Sequence, residues 1–332
     1  MCRGPSGRRP PRPKHTQIAK AVNSRFDRLA RFCYDTGQKV GTKERGVEMQ
    51  KRMLGKTGEM LTVVGFGGIL VMNEEQPVAD RLVARAVEEL GINYFDVAPS
   101  YGDAEIKLGP ALEPYRKQVF LACKTGERLA EGAQRELDQS LRRLRTDHVD
   151  LYQFHAVSKP EDVAQITGPG GALEVFLKAR EQGKARYLGF SAHSEDAAIE
   201  LMKHLDFDSV LYPVNWTSWL KEGFGPKLFK AAQEKGMGIL ALKAMAKRRW
   251  QEGEPRKWPK CWYSPVDTYE EAVLGLRFTL SKGVTAAVSP GHAQFLEWMC
   301  EAEKTLTPLT APDEAALAER AHELAAIFPQ VR

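Results

Sequence analysis

Asp96, Tyr101, Lys124 and His155 are the residues whose types could do acid–base chemistry together. A tyrosine is a poor acid near neutrality, with an ordinary pKa of about 10. A cation beside it favours phenolate and lowers that value; Lys124 is the candidate cation. A lysine buried alone tends to lose its charge, and Asp96 would keep it as an ion pair. His155 can donate a hydrogen bond that orients a substrate group. Taken singly, each has a plainer role: an Asx-turn aspartate, a half-buried aromatic, a solvated strand-end lysine, a satisfied core histidine. Spacing is what joins them.

Asp96, Lys124 and His155 stand 28 and 31 residues apart. A strand plus its crossover helix takes about 30 residues. Each of the three closes an apolar or alternating run: Ile92 to Asp96, Val119 to Lys124, Val149 to His155. They are therefore expected at the same end of successive parallel strands. In a (β/α)8 barrel that end is where chemistry is built. Tyr101 follows Asp96 by five residues, in a loop opened by Pro99 and Gly102.

The rest of the chain continues the alternation. Strands are expected at 61–66, 185–191, 209–214, 237–243 and 284–289. Helices are expected at 78–90, 131–143, 171–182, 195–204, 226–235, 268–281 and 293–304. Strict alternation of strands and helices predicts a parallel sheet closed on itself. Residues 51–62, turning around Gly55 to Gly58, read as a β-hairpin. An Ala-rich stretch at 312–328 reads as one further helix. The predicted fold class is α/β: a (β/α)8 TIM barrel with an N-terminal β-hairpin cap and an extra C-terminal helix. The 243–268 loop is long for a compact domain. Its Trp250, Trp258, Trp262 and Tyr263, with Lys247, Arg248 and Arg249, fit a cofactor clamp, a substrate lid or a plain surface flap.

With these motifs, from about Met49 to about Lys304, the chain resembles the aldo-keto reductases. Their signature Asp-x-Ala-x-x-Tyr-Gly stands here as Asp96-Val97-Ala98-Pro99-Ser100-Tyr101-Gly102, followed by a strand-end Lys124 and a strand-end His155. The helix start from Tyr101 through Glu105 to Gly109 also fits. The resemblance implies reduction of an aldehyde or ketone by hydride from NAD(P)H. Asp96, Tyr101, Lys124 and His155 would be its catalytic tetrad, with Tyr101 as general acid. The alternative is a cofactor-binding regulatory protein on the same barrel, with little turnover.

The resemblance also implies a cofactor lying extended across the barrel top. Ser191 would hold the nicotinamide carboxamide, although the usual Asn beside it is Ala192 here. Asn215 would face the nicotinamide pocket or cap its loop. Lys243, Lys247 and Arg248 after the seventh strand, and Ser289 and Gly291 after the eighth, would hold the phosphates. The helix after Gly291 can point backbone N–H groups at a phosphate. NADP(H) is expected ahead of NAD(H), although residues 291–299 carry no Lys or Arg for a 2′-phosphate. No G-x-G-x-x-G fingerprint follows a strand.

Composition sets the remaining bounds. The 332 residues are 43% hydrophobic and 27% charged, ordinary values for a globular protein. No apolar run approaches the 18 or so residues that span a bilayer. Five cysteines lie scattered with no C-x-x-C pair, so no metal site is expected, and a reduced, cytoplasmic protein is. The net charge of +5 belongs to the first 48 residues, which hold 12 Lys/Arg and 4 Asp/Glu. This Pro-rich, basic stretch reads as a disordered extension, with a targeting or nucleic-acid-binding arm as the other reading. Residues 49–332 are expected to form the barrel. The expected partner is a small-molecule carbonyl substrate, with no nucleic acid and no membrane.

Overall fold

A computed structural model describes residues 48–328. The expected basic extension, apart from Glu48, lies outside the described residues. The chain enters through an antiparallel hairpin, β1 (Lys51–Met53) and β2 (Met60–Thr62). Seven parallel strands follow: β3 (Val64–Gly67), β4 (Tyr94–Asp96), β5 (Phe120–Thr125), β6 (Val149–Val157), β7 (Ala185–Ala192), β8 (Ser209–Pro213) and β9 (Gly238–Leu242). A small ladder of β10 (Ala246–Arg248) and β11 (Ser264–Pro265) interrupts them. Strand β12 (Ala286–Val288) then joins β9 to β3 and closes an eight-stranded barrel.

Helices cover the outside because each presents one apolar stripe. In Ala130–Leu144, Ala133, Leu137, Leu141 and Leu144 are buried at helical spacing while the other face stays polar. Inside the barrel, period-two alternation decides which side chains meet. Tyr94, Phe120, Ala122, Leu151, Leu211 and Leu240 point inward and pack as one cluster. Leu54, at the hairpin turn, is fully buried in the same cluster and plugs the barrel bottom.

Gly55 makes that seat possible. Its φ is +52°, and a Cβ there would lie 2.3 Å from the Gly238 backbone N. Backbone cannot yield as a side-chain tip can. Gly55→Ala is therefore expected to cost about 1–3 kcal/mol, typical of overpacking, as a lower midpoint in urea unfolding. An unchanged midpoint would mean that the hairpin moves freely against the barrel.

Several boundaries differ from the sequence expectation. The expected first strand, 61–66, is divided: Leu61 and Thr62 belong to the hairpin and only Val64–Gly67 enters the barrel. Helices Pro160–Thr167 and Trp216–Glu222 were not expected. Each is a short insertion between a strand and its main covering helix. The last helix, Ala311–His322, ends six residues before the expected limit. No helix among the described residues is long and apolar enough to cross a membrane.

Candidate active site

The inward parity of Tyr94, Phe120 and Leu151 continues upward to Asp96, Lys124 and Gln153. Their strands are in matched register, Asp96 beside Ala122 and Lys124 beside Gln153. Three polar side chains therefore crown the apolar barrel interior. Asp96 is 2% exposed and Lys124 not at all. The Lys124 ammonium donates to Asp96 Oδ1 and to the Val97 carbonyl at 3.2 Å. Tyr101 Oη lies 3.5 Å from the same nitrogen. Asp96 Oδ2 also accepts from Gln153 Nε2 at 3.2 Å and Tyr94 Oη at 3.4 Å. A buried carboxylate with three donors, one of them its paired cation, is a satisfied arrangement.

Burial alone would depress the Lys124 pKa, but Asp96 and Tyr101 reverse it and the net shift is upward. The ammonium stays charged. For Tyr101 the sequence expectation was a lowered pKa. The structure gives the opposite: burial raises it, Lys124 pulls it down, Asp96 raises it again, and the result lies above the ordinary value. A cation at 3.5 Å offsets only part of the cost of burying a phenolate. Tyr101 therefore keeps its proton across the neutral range.

His155 faces Tyr101 edge-on, with ring centres 5.7 Å apart. Its Nδ1 lies 3.2 Å from Ser100 Oγ. Burial, then Lys124, His193 and Arg128, push its pKa down to about 3. His193 is pushed down to about 4 by burial and by Lys243. Both rings are neutral at pH 7. An unfolded histidine binds a proton near pH 6.5, so the unfolded state binds more protons between 6.5 and the folded values. Stability is then complete above pH 6.5 and lost as the pH falls. The 1.5 pH units from 6.5 to 5, at about 1.4 kcal/mol each, amount to roughly 2 kcal/mol per histidine. Urea unfolding at pH 7 and pH 5 should show this fall, and His155→Gln/His193→Gln should flatten it. An equally steep fall in the double variant would place the titrating groups elsewhere.

The polar crown opens into a cavity of about 330 Å³. Asp96, Tyr101, His155, Ser191, Lys243, Ser289 and Gly291 all line it. Ser191 Oγ accepts the Ala156 N–H at 2.7 Å, which leaves its own O–H free to donate. The backbone of Gly67 also lines the cavity, and its N–H donates to Ser289 Oγ at 3.1 Å. A Cβ on Gly291 would lie 2.5 Å from Ile69 Cγ2 and 2.8 Å from Lys260 Cβ.

Three expected site residues stand away from the cavity lining. Asn215 caps the Trp216–Glu222 helix, its Oδ1 accepting the Ser218 N–H at 3.0 Å. Its buried Nδ2 has no partner among the described residues. Lys247 pairs with Glu271 at 2.8 Å and Asp267 at 3.3 Å. Arg248 makes a two-pronged pair with Glu254 at 2.7 and 2.8 Å. Lys247 and Arg248 are thus neutralised by carboxylates of their own loop and of the following helix. This geometry does not direct Lys247 or Arg248 at a cavity ligand.

Other residues join the site, of which Gln153, Lys260 and Phe328 carry no sequence signal of their own. Gln153 holds Asp96 from a third strand. Glu105, 1% exposed, accepts from Arg143 at 3.1 Å and from Cys123 Sγ at 3.5 Å, which anchors the helix that follows Tyr101. Phe328 stacks on His193 with ring centres 5.0 Å apart, and Trp262 meets its edge at 5.8 Å. From the long loop, Lys260, Trp262 and Tyr263 reach the cavity. Lys260 also bridges to Glu74 at 2.7 Å and to the Leu70 carbonyl at 3.0 Å.

The chain is similar to known proteins in sequence and in fold. An oxidoreductase of Bacillus subtilis, YqkF, is 29% identical over 196 residues, covering 52% of this chain and 61% of its own length. L-galactose dehydrogenase of Arabidopsis thaliana is 29% identical over 232 residues, covering 64% of this chain and 70% of its own. L-glyceraldehyde 3-phosphate reductase of Escherichia coli is 26% identical over 237 residues, covering 62% and 64%. In fold, the chain is similar to an aldo-keto reductase of Bacillus halodurans solved in holo form, with a TM-score of 0.66 at 24% identity over 86% of this chain and 99% of that one. The sequence model of the aldo/keto reductase family matches residues 64–287, two-thirds of the chain. On that match and the closed barrel, the chain belongs to the aldo/keto reductase family.

Proposed function

We propose that the protein reduces an aldehyde or ketone to an alcohol with a nicotinamide cofactor, and that Tyr101 supplies the proton. The observation that carries this reading is the Tyr101 hydroxyl, 3.5 Å from an ammonium that Asp96 keeps charged, at the floor of an open cavity.

The cavity residues fit the cofactor. Ser191 offers a free O–H for a carboxamide. Gly67 and Gly291 let their loops pack closely at the cavity edge, where a Cβ would strike Ser289 and Ile69. The expectation of NADP(H) ahead of NAD(H) rests on the family resemblance, since residues 291–299 supply no cation and the Lys260 ammonium is paired with Glu74. When bound, the nicotinamide supplies the hydride. The protein's own residues do the rest. His155 is neutral, and a Ser100 hydroxyl donating to Nδ1 leaves the imidazole proton on Nε2, free to point at a carbonyl oxygen. Tyr101 donates its proton to that oxygen as negative charge builds there. Lys124 stabilises the phenolate left behind, and Asp96 prevents Lys124 from losing its proton instead. Such general acid catalysis is worth about 10²–10⁴-fold.

Nicotinamide fluorescence titrations with NADPH and NADH, followed by a carbonyl screen, test the proposal. Saturable NADPH binding and turnover of at least one carbonyl are expected. Binding without any turnover would favour a regulatory role, and no binding would remove both readings.

A further inference from the structure

We propose that Gln153 is a positioning residue for the reduction: its amide fixes the Asp96 carboxylate so that Lys124 stays aimed at Tyr101. This rests on the reductase reading above and adds the group that holds the proton donor's support in place.

Gln153 is fully buried and stands below the cavity lining. Any effect on the reacting groups must therefore pass through Asp96. Strands β4, β5 and β6 run side by side. Gln153 sits on β6 in register with Lys124 on β5. Its amide reaches past that lysine to β4, where Nε2 donates to Asp96 Oδ2 at 3.2 Å. The register neighbour on its other flank, Gly189 of β7, brings no side chain. The amide Oε1 has no partner among the described residues. A buried acceptor without a donor is costly. An apolar side chain of the same length would fill the space without that cost, so packing does not account for an amide here. What the amide adds is the bond to Asp96.

That bond has a geometric consequence. Asp96 Oδ1 accepts from the Lys124 ammonium, while Oδ2 accepts from Gln153 and, at 3.4 Å, from Tyr94. Donors on both oxygens stop the carboxylate from turning about its Cβ–Cγ bond. With Oδ1 held, Lys124 keeps its ammonium 3.5 Å from Tyr101 Oη. Gln153 is the closer of the two neutral donors on Oδ2. It also stands two residues before His155 on the same strand, where alternation puts both on the inner face. One hydrogen bond thus ties the strand that carries His155 to the residue that holds Lys124.

The test compares the full chain as wild type, Gln153→Met and Gln153→Glu. Single-turnover reduction of 4-nitrobenzaldehyde by prebound NADPH is followed from pH 6 to 10, with KM and NADPH affinity measured alongside. Methionine matches the length of the side chain and donates nothing. Gln153→Met is expected to slow the chemical step by about 10- to 100-fold at every pH, with KM and NADPH affinity near wild type. Gln153→Glu donates to Asp96 only while its new carboxyl is protonated, and two carboxyls sharing a buried site keep one proton to an unusually high pH. Its rate should match wild type at pH 6 and fall at least about fivefold relative to wild type by pH 10. An undiminished rate in Gln153→Met overturns the proposal, as does a loss confined to KM or a constant ratio of Gln153→Glu to wild type. Should Gln153→Met fail to fold by circular dichroism, the pH dependence of Gln153→Glu decides alone. A wild type that reduces no aldehyde would sink the reductase reading and this role together, whereas a fast Gln153→Met beside an active wild type sinks the role alone.

Discussion

Lys124→Met is expected to abolish carbonyl reduction and to lower stability as well. The side chain is fully buried and donates to Asp96, the Val97 carbonyl and, at 3.5 Å, Tyr101. Removing it leaves Asp96, 2% exposed, with only Gln153 and Tyr94 as donors. Breaking a buried pair from one side costs about 3–5 kcal/mol, because the remaining charge is uncompensated. Asp96→Asn/Lys124→Met removes both charges and should recover part of that stability without recovering activity. Urea unfolding and steady-state reduction measure the two effects separately. A Lys124→Met protein of wild-type stability would contradict a stabilising role for the buried pair.

Tyr101→Phe is expected to act on chemistry alone. The phenyl ring keeps its edge-on packing against His155 and loses only the hydroxyl. Reduction should fall by about 10²–10⁴-fold, with NADPH affinity near wild type. The pH profile carries a second expectation. Because burial holds the Tyr101 pKa above its ordinary value, wild-type reduction should show no loss of an acid between pH 6 and 9 attributable to this residue. The Tyr101→Phe/Lys124→Met double variant should be little slower than the worse single variant, since the two residues act as a unit. Additive losses would mean separate roles.

The barrel and the polar crown were legible because both follow from local patterns. Apolar runs of strand length, each ending in a polar residue about 30 positions after the last, place Asp96, Lys124 and His155 at one end. Period-two alternation then points them the same way. What could not be read was set by partners distant in sequence or by burial. Lys247 looks like a phosphate ligand until Glu271 and Asp267 are folded against it. Phe328 reaches His193 across most of the C-terminal half of the chain. Gln153 is one of many inward residues until its register with Lys124 puts it on Asp96. The sequence shows that a cation can neighbour Tyr101, but only the fold shows the phenol half-buried at the cavity floor. That burial decides the sign of its pKa shift. Short helices such as Pro160–Thr167 leave too few apolar positions to show a period.

Single-turnover reduction by prebound NADPH, followed by loss of nicotinamide fluorescence in wild type and Tyr101→Phe, tests the role of Tyr101 most directly. Substrate and cofactor are loaded before the reaction, so binding and product release do not enter the rate. The expected result is a wild-type burst and a Tyr101→Phe rate at least about 10²-fold slower at equal cofactor occupancy. An undiminished rate in Tyr101→Phe would contradict proton donation by this tyrosine.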